Sequence, residues 1–150
     1  MSVDPASGRP GLVVIDTNVW ISAILSRDGT PARVVRHVLD HGTPVFSPAT
    51  FAELEDRLKR PKFDRYLAPE LRRAILRDAR ASAHWETIPY GIAARTWCTD
   101  RQDDMFVHTA LAASASWIIT GDHALLSVRE VPNVAIVSPA DALRDDAFRS

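Results

Sequence analysis

Short apolar runs, each halted by small polar residues, set the rhythm of the chain. Leu12-Val13-Val14-Ile15 is β-branched and too short for a helix, so it predicts a strand buried on both faces. Pro44-Val45-Phe46 and Trp117-Ile118-Ile119-Thr120 predict two more strands, and Thr87-Ile88 a brief one. Between them, apolar residues recur at helical spacing: Val19 to Leu25, Val34 to Leu39, Phe51/Leu54/Leu58, Leu71/Ile75 with Leu76, and Phe106/Val107/Ala110/Leu111. Asp28-Gly29-Thr30-Pro31, His41-Gly42 and Arg60-Pro61 stop three of these helices. Ser47-Pro48 reads as a helix start, with a capping hydroxyl and proline at the first helical position. The same pair recurs at Ser138-Pro139, after the run Val134-Ala135-Ile136-Val137.

Strands alternating with helices imply a parallel sheet covered on both sides, an α/β fold arranged as a three-layer α/β/α sandwich. The 150 residues suit one domain, expected over residues 12–150 behind a flexible leader at residues 1–11. With 46% hydrophobic and 25% charged residues, the composition is that of a globular domain. No apolar run approaches the roughly 20 residues of a membrane span, and the leader lacks the apolar stretch of a secretory signal. The single cysteine, Cys98, excludes an internal disulfide and a thiolate metal cluster, and points to a cytoplasmic setting. The four tryptophans read as core or interface residues.

Net charge is −1, but it is unevenly spread. Between Arg57 and Arg80 lie nine basic residues and three acids, so that segment carries +6 and the remainder −7. Such an arm reads either as a solvated helix face or as a phosphate-binding surface, with Arg57, Lys59, Arg60 and Lys62 as candidate contacts to nucleic acid.

The acids fall at places where ligands bind in parallel sheets, beyond the carboxyl ends of strands. Asp16 follows the first strand and Asp122 the strand ending at Thr120; Glu53 and Asp104 sit near helix starts facing the same edge, with Asp103 as a helix cap. Each alone has an ordinary structural reading as a turn, cap or surface residue. Together they form a rim of like charges. Two such charges ~4 Å apart cost on the order of 4 kcal/mol at an effective dielectric near 20, so either protons or a cation must settle among them. An all-oxygen donor set selects Mg²⁺ or Mn²⁺ over zinc. His108, one turn beyond Asp104, reads as a packing or surface residue. A carboxylate-held divalent ion suits phosphodiester hydrolysis, and the basic arm suits a single-stranded polyanion.

These residues resemble a known family. Val14-Ile15-Asp16-Thr17-Asn18-Val19 is similar to the opening motif of PIN-domain nucleases. Ser47-Pro48 through Glu53-Leu54, continuing to Leu58-Lys59-Arg60-Pro61-Lys62-Phe63, resembles the second acidic helix of the VapC-like ribonuclease toxins of toxin–antitoxin systems. Asp100 to Phe106 looks like the third motif, Ile119 to Leu126 the fourth, and Ile136 to Ala140 the terminal one. The resemblance implies an acidic quartet of Asp16, Glu53, Asp104 and Asp122. Asp16 and Asp104 would ligate metal directly, Asp122 would lie near a second metal position or bind through water, and Glu53 would orient or deprotonate the attacking water. Thr17, Asn18 and Thr120 would be polar supports. It also implies Mg²⁺- or Mn²⁺-dependent cleavage of RNA, inhibition of translation, a cognate antitoxin protein and a homodimer. The chain departs from the family where Arg101-Gln102 replaces a common proline, which leaves the roles of Asp100, Asp103 and Asp104 open; Asp104 is preferred because it leads into the Phe106/Val107 face. Two other readings compete. One is a non-catalytic PIN-like regulatory or binding module. The other is a phosphatase with a nucleophilic aspartate, disfavoured by Asn18 where a second acid is needed.

Overall fold

The computed structural model describes residues 11–128 and 130–149. Strand β1 (Leu12–Ile15) lies at the centre of a five-stranded sheet with β2 (Thr43–Phe46), β3 (His84–Trp85), β4 (Trp117–Ile119) and β5 (Ala135–Val137). All pairings among them are parallel, in the order β3-β2-β1-β4-β5. Val14 stands opposite Val45 on one side and Ile118 on the other.

The helices are α1 (Thr17–Leu25), α2 (Thr30–His41), α3 (Pro48–Leu58), α4 (Pro69–Ser82), α5 (Tyr90–Ala93), α6 (Asp104–Ala113), α7 (His123–Leu126), α8 (Pro139–Arg144) and α9 (Asp146–Arg149). Because strand side chains alternate, the sheet feeds two cores. Val13, Ile15, Phe46, Trp117 and Ile119 pack with residues of α1 to α4, α8 and α9, among them Val34, Leu54, Leu58, Leu76 and Phe148. Val14, Val45 and Ile118 face Phe106, Val107 and Ala110 of α6 and Leu125 of α7. Burial on both faces explains the unbroken apolar runs of β1 and β4. The result is the expected three-layer α/β/α sandwich.

The Ser-Pro starts behave as the sequence predicts. Ser47 Oγ accepts from the Thr50 amide while the Ser47 amide donates to Thr50 Oγ1 at 2.9 Å, a reciprocal cap that opens α3. Ser138 Oγ accepts from the Asp141 amide in the same way at α8.

Two expectations change, and two short helices come unannounced. Thr87-Ile88 is not a strand; the chain pairs with β2 through His84–Trp85, where the Trp85 ring packs on Phe46 and Phe51. On α4, Leu71 is exposed and the buried line runs through Arg72, Leu76 and Ala79. Arg72 tolerates burial because Nε donates to the Leu67 carbonyl and Nη2 to Asp64. The short α5 and α9 carry too few apolar positions to announce themselves, yet Phe148 of α9 is fully buried against Trp117. Residues 1–10 of the expected leader lie outside the described residues. No helix among those described is long and apolar enough to cross a membrane.

Candidate active site

The sheet order reverses direction at β1, so the crevice beyond β1 and β4 is a topological switch point, where side chains from separate loops meet. Backbone bonds hold the two loops together: the Asp16 amide donates to the Ile119 carbonyl and the Thr120 amide to the Val137 carbonyl. Asp16 and Thr120 are both buried there. The Thr120 hydroxyl donates to Asp16 Oδ2 at 2.7 Å and accepts from the Asp122 amide at 3.0 Å, so one side chain sets the positions of two acids. Asp122 in turn caps α7, with Oδ1 accepting from the Ala124 amide at 2.8 Å.

Burial pushes the Asp16 carboxyl above its ordinary range, and the Asp122 charge pushes it further; hydrogen bonds from the Thr120 hydroxyl and the Asn18 amide, and the Arg57 charge, oppose the shift. Glu53, on the second turn of α3, is raised chiefly by burial and also by Asp16, against the pull of Arg57. Arg57 Nη2 lies 3.0 Å from Glu53 Oε1, and Nη1 donates to Asn18 Oδ1 at 2.8 Å, so this guanidinium bridges α3 and α1 at the edge of the acidic site. The buried Thr17 hydroxyl faces Glu53 and helps keep it ionised, though it stops short of full hydrogen-bond geometry.

The third acid is a choice between two neighbours. Asp103 precedes α6, but its side chain makes no cap hydrogen bond. It is pushed up to about 7 by burial and by the neighbouring charges of Asp122, Asp100 and Asp16, and its carboxyl hydrogen-bonds that of Asp122. Asp104 turns the other way. Its Oδ1 accepts from the Trp97 and Cys98 amides at 2.9 and 2.6 Å, and the Cys98 thiol also bonds to it. Asp103 thus lies within the field of Asp16 and Asp122, while Asp104 Oδ1 fastens the segment before α6. The pattern carried a sign of this, because Asp103 continues the stripe Phe106/Val107/Ala110 at spacings of three, four and seven. His108 faces the Arg95 carbonyl, as a packing residue does.

The donor chemistry fits a hard divalent cation: oxygen-only side chains, like-charged, with Asp16 and Asp103 both raised by burial and by the nearby Asp122 charge. Among the described residues, no three His, Cys, Asp or Glu side chains already stand close enough to enclose an ion.

The basic arm is less basic than its count. The +6 window opens just after Glu53, Glu55 and Asp56, and helical spacing returns those acids to it: Arg57 pairs with Glu53, Lys59 with Glu55 at 3.8 Å and Arg60 with Asp56 at 3.7 Å. Arg80 instead stacks over Phe51 and Trp85.

Comparison with known proteins gives the same frame. A family model described as PIN domain matches residues 12–124. The uncharacterised protein MJ1680 of Methanocaldococcus jannaschii is 33% identical over 119 residues, 79% of this chain and 75% of that protein. Among solved structures, VapBC2 from Rickettsia felis, bound to a DNA fragment from its promoter, superposes with a TM-score of 0.61 at 13% identity, over 85% of this chain and 98% of that one. VapC20 of Mycobacterium tuberculosis, a toxin described as cleaving the sarcin–ricin loop, superposes with a TM-score of 0.50 at 11% identity, over 79% of this chain and 98% of that one. At these identities the solved structures share a fold with the chain.

Proposed function

The chain belongs to the PIN-domain family, and from that premise we propose that it is a Mg²⁺- or Mn²⁺-dependent ribonuclease, the toxin of a toxin–antitoxin pair. The observation that carries this reading is the pair of raised carboxyls, Asp16 and Asp103, each pushed up by burial and by the charge of Asp122 at the sheet's switch point. Raised carboxyls in a crevice mark a site that gains from a positive ligand. Asp16, Asp103 and Asp122 would hold the ion, which supplies a bound water of lowered pKa and neutralises charge on the scissile phosphate. Thr120 and Asn18 hold Asp16 in a fixed orientation beforehand. Glu53 takes the proton of the attacking water: burial strengthens it as a base, and Arg57 keeps it ionised. Asp104 serves this site by anchoring the Trp97–Cys98 backbone beside it.

A protein partner is part of the proposal. Trp20, Ile24, Val35, Leu39 and Ile75 line a mainly apolar hollow of about 340 Å³ between α1, α2 and α4, the kind of face that an antitoxin or a second copy covers. The kinship in fold with VapBC2 and VapC20 supports the toxin reading.

The test is incubation of purified protein with defined single-stranded RNAs, with and without Mn²⁺, beside D16N. Cleavage that needs the ion and disappears in D16N is expected. Parental cleavage by D16N refutes the assignment.

A further inference from the structure

Two hollows share one wall beside the acidic site. The first, about 270 Å³, is lined by Asn18 and Ser22 of α1, Arg57 and Arg60, and Lys62 with Phe63. The second, about 470 Å³, opens on the other side of the same two arginines and is closed by Glu53, Asp56, Arg101, Gln102 and Met105. Arg57 and Arg60 thus form a ridge between them. Because Arg57 also bridges Glu53 and Asn18, the ridge abuts the candidate catalytic carboxylates.

The charges differ across the ridge. Three cations and no carboxylate line the first hollow. The second mixes three cations with two acids and adds the Gln102 amide and the Met105 thioether. Among the described residues, Lys62 and Arg101 enter no ion pair, whereas Lys59 is turned to Glu55 and lines neither hollow. Lys62 and Arg101 are both exposed at the mouths of the hollows, Lys62 with its ammonium 5.2 Å from the Phe63 ring centroid, and a cation outside an ion pair meets a phosphate without first releasing a carboxylate.

We propose that the RNA strand crosses the Arg57–Arg60 ridge, with one backbone phosphate in the hollow of Lys62 and Ser22 and the adjoining nucleotide against Arg101 and Gln102. The track rests on the ribonuclease reading and extends it. It removes Lys59 from the candidate contacts and brings in Ser22, Arg101 and Gln102. The two residues that replace the family's proline before Asp103 become substrate contacts of this particular chain.

The experiment measures binding of a fluorescent single-stranded RNA by anisotropy in EDTA, over a series of salt concentrations, for wild type, K62Q, R101Q and R77Q. Arg77 lies on α4, paired with Asp78, and its loss controls for net charge. K62Q and R101Q are expected to weaken binding about fivefold each, and to lower the slope of log affinity against log salt by about 0.7 per lost phosphate contact on a single strand. R77Q is expected to stay within about twofold of wild type. Mn²⁺-dependent cleavage by wild type, together with K62Q and R101Q affinities equal to that of R77Q, overturns the track and leaves the ribonuclease reading standing. Wild type that neither binds nor cleaves RNA overturns both.

Discussion

At the rim beyond β1 and β4, like charges face one another; along α3 and α4, cations and anions are interleaved. Six of the nine basic residues between Arg57 and Arg80 sit in ion pairs, most of them with an acid one to four residues away. A seventh, Arg80, lies over two aromatic rings. At the rim, burial raises both Asp16 and Asp103; the charge of Asp122 adds to each, and those of Asp100 and Asp16 add to Asp103. Charges that a neighbour relieves contribute to the fold or are neutral to it. Charges left unrelieved in a crevice destabilise the empty protein and make a ligand of opposite sign favourable. The contrast separates structural from functional charge without appeal to sequence motifs.

The sharpest way to break this comparison is to treat the adjacent Asp103 and Asp104 alike. D103N removes a crowded charge and is expected to lower RNA cleavage at least about a hundredfold, the scale of losing one electrostatic element of a reaction site, while leaving the protein as stable or more so. D104N keeps an oxygen for the Trp97 and Cys98 amides and is expected to cleave within about tenfold of wild type. Rates and melting temperatures measured side by side decide it. If D104N is the inactive variant and D103N the active one, the proposed role of Asp103 is wrong.

Removing the acceptor altogether should move stability instead. D104A leaves two amide donors without their partner, each costing about 1–3 kcal/mol where water cannot replace it. A loss of about 2–3 kcal/mol in urea unfolding is expected, with unchanged m-value. The same change should expose Cys98, whose thiol is pushed up to about 12 by burial and by Asp104. Faster alkylation of D104A than of wild type would report the freed segment. Equal stability would place Asp104 among the dispensable surface acids.

Much of this arrangement is visible in the residues before any folding. β1 and β4 are legible because burial on both faces forbids alternation, and α3 because Ser47-Pro48 supplies both a cap and a permitted proline. Asp16 and Asp122 are legible because a polar residue closing a buried strand has one place to go, the sheet's edge. Asp103 and Asp104 are not resolved by that logic: both flank the same helix start, and only the path of residues 95–98 decides which one meets backbone amides. β3 is hidden for a related reason, because a two-residue strand shows no period and Trp85 is held by rings on β2 and α3 that lie far off in sequence.

A smaller effect tests the rim through protons. The Asp103 carboxyl, pushed up to about 7 from an ordinary 3.8, holds a proton in the folded state that the unfolded chain releases at lower pH. Stability from this group is therefore complete below about pH 4, falls as pH rises toward 7, and is gone above it; Asp16 and Glu53 act in the same direction. Metal-free wild type is expected to melt a few degrees higher at pH 5.5 than at pH 7.5, the equivalent of about 1 kcal/mol for a domain of this size. D103N should show a flatter profile, and Mn²⁺ at pH 7.5 should recover the difference in wild type. A profile in D103N as steep as in wild type removes Asp103 from the crowd.

The smallest expected effects lie on the interleaved surface, and their smallness is itself informative. Lys59 and Glu55 are both well exposed and 3.8 Å apart, so the pair is screened by solvent and restrains two long side chains. K59Q is expected to change unfolding free energy by less than about 0.5 kcal/mol and to be insensitive to salt. Arg80 is also cationic and on the same arm, but its guanidinium lies 4.6 Å from the Phe51 ring centroid and 5.3 Å from that of Trp85. R80A therefore removes packing as well as charge and should cost about 1–2 kcal/mol. Equal losses in K59Q and R80A would mean that net charge governs this surface; a gap of the expected size means that each cation is spent on its own neighbour, in contrast to the rim, where the charges remain available to a ligand.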